Sequence, residues 1–205
     1  MAVSDRVLFL RLVTIAAGET RPLTEALGLT RPALERLLGK YLPESLALVP
    51  RDGGPGEDAL EEPDLRDFLL TCRAGRGEEE EWLAAIVARR SLGANHLWQD
   101  LGLAGRSELN TLFRRHFPEL VRLNRSDMKW KKFFYRQLCA REGLTVCRAP
   151  NCAVCPETAL CFGPESGASL LGPAALSRMK RGMSDLRQNV ASVSQRRAMP
   201  TIGGA

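Results

Sequence analysis

Leu23-Thr24-Glu25-Ala26-Leu27-Gly28-Leu29 has a counterpart farther along the chain in Leu97-Trp98-Gln99-Asp100-Leu101-Gly102-Leu103, and the pairing of these two stretches decides the fold. The match continues outward on both sides. Downstream, Leu34, Leu37, Leu38, Tyr41, Leu42, Pro43 and Glu44 pair with Leu109, Leu112, Phe113, His116, Phe117, Pro118 and Glu119. Upstream, Leu8, Phe9, Leu12 and Val13 pair with Trp82, Leu83, Ile86 and Val87. The offset is 74 residues up to Leu29 and Leu103, and 75 after one inserted residue. Apolar residues recur at spacings of three and four, the period of a helix with one buried face, and each run stops before a proline. Each unit therefore reads as helix, short helix, glycine-containing turn, helix. A unit of about 45 residues is thus repeated, over roughly 6–49 and 80–124. Two copies are too few for a solenoid, so the expected architecture is a closed all-α helical bundle.

The joints agree with this reading. Arg51-Asp-Gly-Gly-Pro-Gly-Glu57 is a turn or exposed loop between the copies. Gly75-Arg-Gly-Glu-Glu-Glu-Glu81 leads into the helix bearing Trp82, where negative charge suits the first turn and reads as a solvated cap. No stretch alternates as a strand does, which argues against a parallel sheet and its nucleotide-binding crevice.

The chain of 205 residues is 44% hydrophobic, enough for a real core. Its net charge of +5 is unevenly placed. From Gly172 onward there are six basic residues (Arg178, Lys180, Arg181, Arg187, Arg196, Arg197) against Asp185 alone, while residues 1–171 balance. The basicity therefore belongs to an expected flexible tail, 172–205, or a loose helix from about Ala174 to Val193, and says little about the helical domain, 1–171. The longest apolar stretch, Val7 to Gly18, is broken by Arg11 and falls short of the roughly 20 residues that span a bilayer. Neither a membrane helix nor a secretory signal is expected, and a cytoplasmic location is.

Four of the six cysteines crowd into Cys147-Arg-Ala-Pro-Asn-Cys152-Ala-Val-Cys155-Pro-Glu-Thr-Ala-Leu-Cys161. Short loops close at little entropic cost, so four thiolates at these spacings are suited to converge on one metal centre. An iron-sulfur cluster leads on pattern, because its irons need ligands from several directions and the first three cysteines are spaced as in plant-type ferredoxins, whose fourth is not packed so closely. Zinc is the alternative, although zinc ribbons usually present two CxxC knuckles and this loop has one. Redox disulfides come third. Cys72 and Cys139 lie in helical patterns and read as small buried hydrophobes, Cys139 being at most a reserve ligand.

Ahead of the loop, Met128-Lys-Trp-Lys-Lys-Phe-Phe-Tyr-Arg-Gln-Leu-Cys139 reads as a helix with Trp130, Phe133, Phe134, Gln137 and Leu138 on one face, ending near Gly143. Residues 129–148 hold Lys129, Lys131, Lys132, Arg136, Arg141 and Arg148 against Glu142 alone. This basic stretch would suit an anionic cluster, an oxyanion or an acidic partner, or be a solvated face. His116 pairs with Tyr41 and reads as a packing residue. No nucleophile with its base, phosphate loop or dinucleotide fingerprint is present. A helix-turn-helix is the rival for 23–38, but the inserted residue in the second copy keeps the apolar frame, and Arg31 and Arg36 beside Glu35 are few phosphate contacts.

The run Met128 to Leu144, the CxxxxCxxCxxxxxC loop and Cys161-Phe-Gly-Pro-Glu165, with His96-Leu-Trp-Gln-Asp-Leu-Gly-Leu103 and Arg114-Arg-His-Phe-Pro118 upstream, resemble the NifQ family of nitrogen-fixation proteins. The resemblance covers roughly 80–171 clearly and 1–79 more loosely, and leaves out the tail. It implies a carrier, not an enzyme, that holds a molybdenum-iron-sulfur cluster and supplies molybdenum for the nitrogenase iron-molybdenum cofactor. It also implies delivery to the NifEN scaffold together with the NifH iron protein. The family's motif cysteines fall on Cys147, Cys152, Cys155 and Cys161. Molybdate, or another molybdenum-containing precursor, would enter by a route the resemblance does not define; Lys129, Lys132 and Arg136 are the residues expected to attract it. The rival expectations are a zinc-stabilised helical interaction module and an iron-sulfur DNA-binding regulator, nucleic acid being the less expected partner.

Overall fold

The computed structural model describes residues 3–176 apart from 57, 58, 145, 146, 148 and 150. Among them the protein is all-helical, with no strand. The first segment comprises α1 (Asp5–Ala17), the short α2 (Leu23–Leu27), α3 (Arg31–Tyr41) and a 3-10 helix, Pro43–Leu48. After a loop comes α4 (Glu62–Thr71), and then the second segment: α5 (Glu78–Ser91), the short α6 (Leu97–Asp100), α7 (Arg106–His116) and α8 (Pro118–Leu123). The chain ends its described course with α9 (Trp130–Arg141), a 3-10 turn at Cys152–Val154, and α10 (Thr158–Phe162). The segment expected to be a flexible basic tail lies outside the described residues from 177 onward, as does Arg148. Packing continues past the expected tail boundary, because Leu176 is buried, as is Leu171 just before it.

The two segments match in backbone detail. Gly28 and Gly102 take left-handed conformations, with φ of 64° and 66°, a region that costs an L side chain about 1–2 kcal/mol. Across these turns Leu29 N donates to Thr24 O at 3.0 Å and Leu103 N to Trp98 O at 2.8 Å. α3 and α7 both end in a residue outside helical space, Leu42 (φ −143°, ψ 54°) and Phe117 (φ −137°, ψ 61°). The following proline fixes φ without needing a donor, so the helical course resumes there in both segments.

Contacts between the segments are reciprocal. Lys40 and Tyr41, at the end of α3, bind Glu79 at the start of α5, with the Tyr41 hydroxyl 2.6 Å from the carboxylate. Arg115 and His116, at the end of α7, bind Asp5 at the start of α1, at 2.7 and 3.0 Å. These residues pair with one another in the sequence match. Likewise Arg11 and Ile15 of α1 lie against Gly102, and Ala85 and Arg89 of α5 lie against Gly28. Each segment's first helix thus packs on the other's glycine turn, the pattern of a self-complementary two-fold contact.

The core runs through both segments and on into α9. Phe9, Tyr41 and Trp82 meet at centroid distances of 4.9–6.5 Å, and Trp130 stands edge-on to Phe113 at 4.5 Å. Arg11, an interruption of the apolar run in sequence, has a wholly buried side chain and pairs with Glu108 at 2.7 Å. α4, which the pattern of the repeat did not anticipate, brings Glu62 onto Arg89 at 2.6 Å with both side chains buried. The Glu78–Glu81 run is not a uniformly solvated cap. Glu80 is buried and accepts from the backbone N–H groups of Gly75 and Arg76, satisfying the turn that precedes α5. Among the described residues no helix is long and apolar enough to cross a membrane.

Candidate metal-binding segment

α9 anchors the cysteine-bearing region. Trp130, Phe133 and Phe134 are buried, and the Trp130 indole N–H donates to Asn110 Oδ1 at 2.8 Å. The turn before α9 is closed by Asn124, whose side-chain oxygen accepts from Met128 N at 2.9 Å and whose amide donates to Met128 O at 2.8 Å. Gly143 ends the helix with φ of 69°, and Leu144 N donates back to Cys139 O at 2.8 Å.

The cationic stretch divides by side. Lys131 turns into the bundle and binds Asp100 at 2.5 Å. Lys129 leans toward the cysteines, its ammonium 3.2 Å from Ala159 O and its backbone N–H 2.8 Å from Cys161 O. Arg141 lies over the Phe68 ring at 4.7 Å. Lys132 and Arg136 are exposed, one helical turn apart, and have no ion-pair partner among the described residues.

All six cysteines are free thiols. Cys72 caps α4 and is buried, and burial pushes its thiol up from the usual range, which suits a packing role. Cys139 is half-buried on α9. Of the four motif residues, Cys147 and Cys152 are exposed and Cys155 and Cys161 are half-buried. Asn151 nucleates the 3-10 turn by accepting from Ala153 N and Val154 N at 3.0 and 3.3 Å. The Thr158 hydroxyl lies 2.8 Å from Cys152 O and 2.7 Å from Cys155 O, tying the CxxC turn to the start of α10. Gly163 follows α10 because a Cβ there would sit 2.4 Å from Ala159 O.

The donor set fits a soft metal or a metal-sulfide cluster: four thiols, none consumed in a disulfide, on a segment that solvent reaches. They do not converge on a point, since among the described residues no three His, Cys, Asp or Glu side chains are placed to hold a metal ion. What the fold positions is the base of the segment. It is joined to α9 through Lys129 and Cys161, and beyond α10 it returns over the second segment. Arg106 Nη1 holds Glu165 at 2.8 Å, and Gln99 donates to Ala168 O at 2.8 Å. Arg106, Glu165, Asn124 and Thr158 were not singled out from sequence. The available signal was weak: Arg106 pairs with Arg31 in the repeat, and Glu165 closes the Phe-Gly-Pro-Glu stretch after the last cysteine.

Comparison with known proteins agrees in extent with the helical domain and the cysteine segment together. A family model, NifQ, matches residues 8–163. A protein NifQ of Azotobacter vinelandii is 50% identical over 102 residues, covering 50% of this chain and 52% of that protein. A NifQ homolog of Sinorhizobium fredii is 41% identical over 169 residues, covering 80% of this chain and 71% of the relative. Protein NifQ of Rhodobacter capsulatus is 40% identical over 149 residues, 70% of this chain and 79% of the relative. The match thus spans about half the length of the Azotobacter relative and more of the other two. No solved structure matches the chain.

Proposed function

Because the chain belongs to the NifQ family, we propose that it is a carrier that takes up molybdenum in a molybdenum-iron-sulfur cluster and supplies it for the nitrogenase iron-molybdenum cofactor. Cys147, Cys152, Cys155 and Cys161 are its ligands. The observation that carries this reading is the pairing of four free, solvent-reached thiols with a base tied to a rigid bundle. A carrier must hold its cargo and also release it, and an open segment on a fixed base serves both demands better than a sealed cavity. The chain acts without catalysing a reaction of its own, in the cytoplasm, and passes its cargo to the NifEN scaffold with the NifH iron protein. Thiolate and sulfide are soft donors, which suits iron and sulfur-bound molybdenum alike.

Molybdate approaches on the outer side of α9. Of the three cations expected to attract it, Lys132 and Arg136 have no partner among the described residues, whereas the Lys129 ammonium already rests on Ala159 O. The reciprocal contacts of the two segments support a further part of this reading: they are copies of one unit, and the cysteine segment was added to the second. DNA binding is the weaker alternative, because Arg31, Arg36 and Lys40 of α3 are each paired with a carboxylate.

The test is metal and acid-labile sulfide analysis of the protein purified without oxygen from cells that make iron-sulfur clusters and are supplied with molybdate, beside a Cys152→Ser, Cys155→Ser double variant. Iron, sulfide and molybdenum together, lost in the variant, support the carrier. Zinc alone without sulfide overturns it in favour of a structural clip. Charge reversal at Lys132 and Arg136 is expected to lower molybdenum loading and leave iron unchanged.

A further inference from the structure

Arg106 stands where the chain entering the cysteine region meets the chain leaving it. Its Nη2 is 2.9 Å from both Asp127 O and Asp127 Oδ1 and 2.7 Å from Met128 O, immediately before α9. Its Nη1 is 2.8 Å from Glu165 Oε1, just after α10. The Glu165 side chain is 6% exposed although it follows a largely exposed segment. The guanidinium does not close a two-bond pair with this carboxylate. It divides its donors between two stretches of chain, and Glu165 Oε2 and Arg106 Nε are left buried with no protein partner. The equivalent residue in the first segment, Arg31, binds Glu35 on its own helix and Arg51 O, and both of its partners are exposed.

We propose that Arg106 and Glu165 form a clasp that positions the cysteine segment, closing a loop that contains α9 and all four motif cysteines. With the clasp shut, the bond from Lys129 N to Cys161 O keeps Cys161 registered against the start of α9. With it open, the entering and leaving chains are free to part, and the segment loses the fixed base from which its cysteines extend. Glu165 is the weaker half, because its second oxygen has no donor to hold it. Arg106 is therefore a positioning residue, acting on cargo retention through Cys161 and not by touching the cargo. The retention part of the inference rests on the carrier reading above; the clasp itself does not.

The experiment is amide hydrogen exchange on the full-length, reduced, metal-free chain, comparing Arg106→Ala, Arg106→Lys, Glu165→Gln and, as a control, Arg31→Ala. Arg106→Ala should raise exchange about ten-fold in residues 126–130 and 161–168 while α1 and α5 stay protected. Glu165→Gln keeps the shape and drops the charge, so it should raise exchange in 161–168 and spare 126–130. Arg106→Lys cannot span both stretches and should rescue only one of them, and Arg31→Ala should change neither. Unchanged exchange in both stretches of Arg106→Ala, or a rise spread equally over α1 and α5, would overturn the clasp. On cluster-loaded protein, Arg106→Ala should lose metal to a chelator several-fold faster. An unchanged rate beside raised exchange would overturn its role in retention, and a chain that never loads metal would sink the carrier reading while leaving the exchange result standing.

Discussion

The Gly28 and Gly102 turns are the same device put to different use. Each lies against the first helix of the other segment, beside a buried arginine, Arg89 in one case and Arg11 in the other. At Gly28 the surroundings are closed locally. Gly56 of the Arg51–Gly56 loop packs on Glu25, and α4 seals Arg89 with Glu62. At Gly102 the covering chain arrives only after α9 and the cysteine segment: Gly167 packs on Gln99, the residue matching Glu25, and Leu171 on Gly102 itself. The comparison teaches that one turn ends a packing unit, while the other is the landing site that brings a long excursion, with its four thiols, back to the bundle.

The comparison breaks most severely if the buried ion pairs are removed. Glu62→Ala strands Arg89 and Glu108→Ala strands Arg11, each leaving a guanidinium away from water without its carboxylate. Chemical denaturation should show losses of about 3–5 kcal/mol for each, the usual cost of uncoupling a buried charge. A loss below 1 kcal/mol for Glu108→Ala would mean that only the Gly28 turn depends on its arginine.

Alanine at the two glycines sharpens the contrast. Both substitutions place a Cβ at positive φ, at about 1–2 kcal/mol. At Gly28 the new Cβ meets Arg89 Cβ at 3.1 Å, an atom fixed to the α5 backbone. At Gly102 the nearest atoms are the ends of Ile15 and Leu171, at 2.7 and 3.1 Å, and both are free to turn aside. Thermal unfolding should therefore fall further for Gly28→Ala, although its closest contact is the longer one. Only Gly102→Ala should raise exchange in the returning chain around Leu171.

The smallest effects belong to the reciprocal polar contacts, which should fail at opposite ends of the pH scale. Burial raises the Asp5 carboxyl, but the hydrogen bond and charge of His116 with the Arg115 charge outweigh it, so Asp5 sits below its usual range. Its contribution is present above the unfolded value of about 3.9 and is lost as pH falls through the lower folded value. Burial and the bond to Glu79 push the Tyr41 hydroxyl upward. Its contribution is complete below the unfolded value of about 10 and is lost at more alkaline pH. Melting temperature against pH should thus lose acid sensitivity in Asp5→Asn and alkaline sensitivity in Tyr41→Phe. At neutral pH, Tyr41→Phe should cost about 1 kcal/mol, because Lys40 still pairs with Glu79.

Much of this was legible in the chain, residue by residue. The period of the apolar positions made Leu34, Leu37, Leu38 and their counterparts a buried helical face, and all are buried. Gly28, Gly102 and Gly143 were read as turn and end residues, and each has positive φ. His116 was read as packing, and it is 4% exposed, with Asp5 on its ring. α4 escaped because it has no partner in the repeat. Arg11 misled because a charge inside an apolar run signals interruption until a carboxylate 97 residues away is brought beside it.

The sequence by itself determined the helices, the glycine turns and the crowding of four thiols, because periodicity, left-handed turns and short spacing are local properties. Only the tertiary structure decided that Tyr41 meets Glu79 while His116 meets Asp5, that Lys131 is spent on Asp100, and that Arg106 joins the two ends of the cysteine region. Those are encounters between residues far apart in the chain. A charge carries no sign of its distant partner until the apolar faces of the helices have packed and brought the two together.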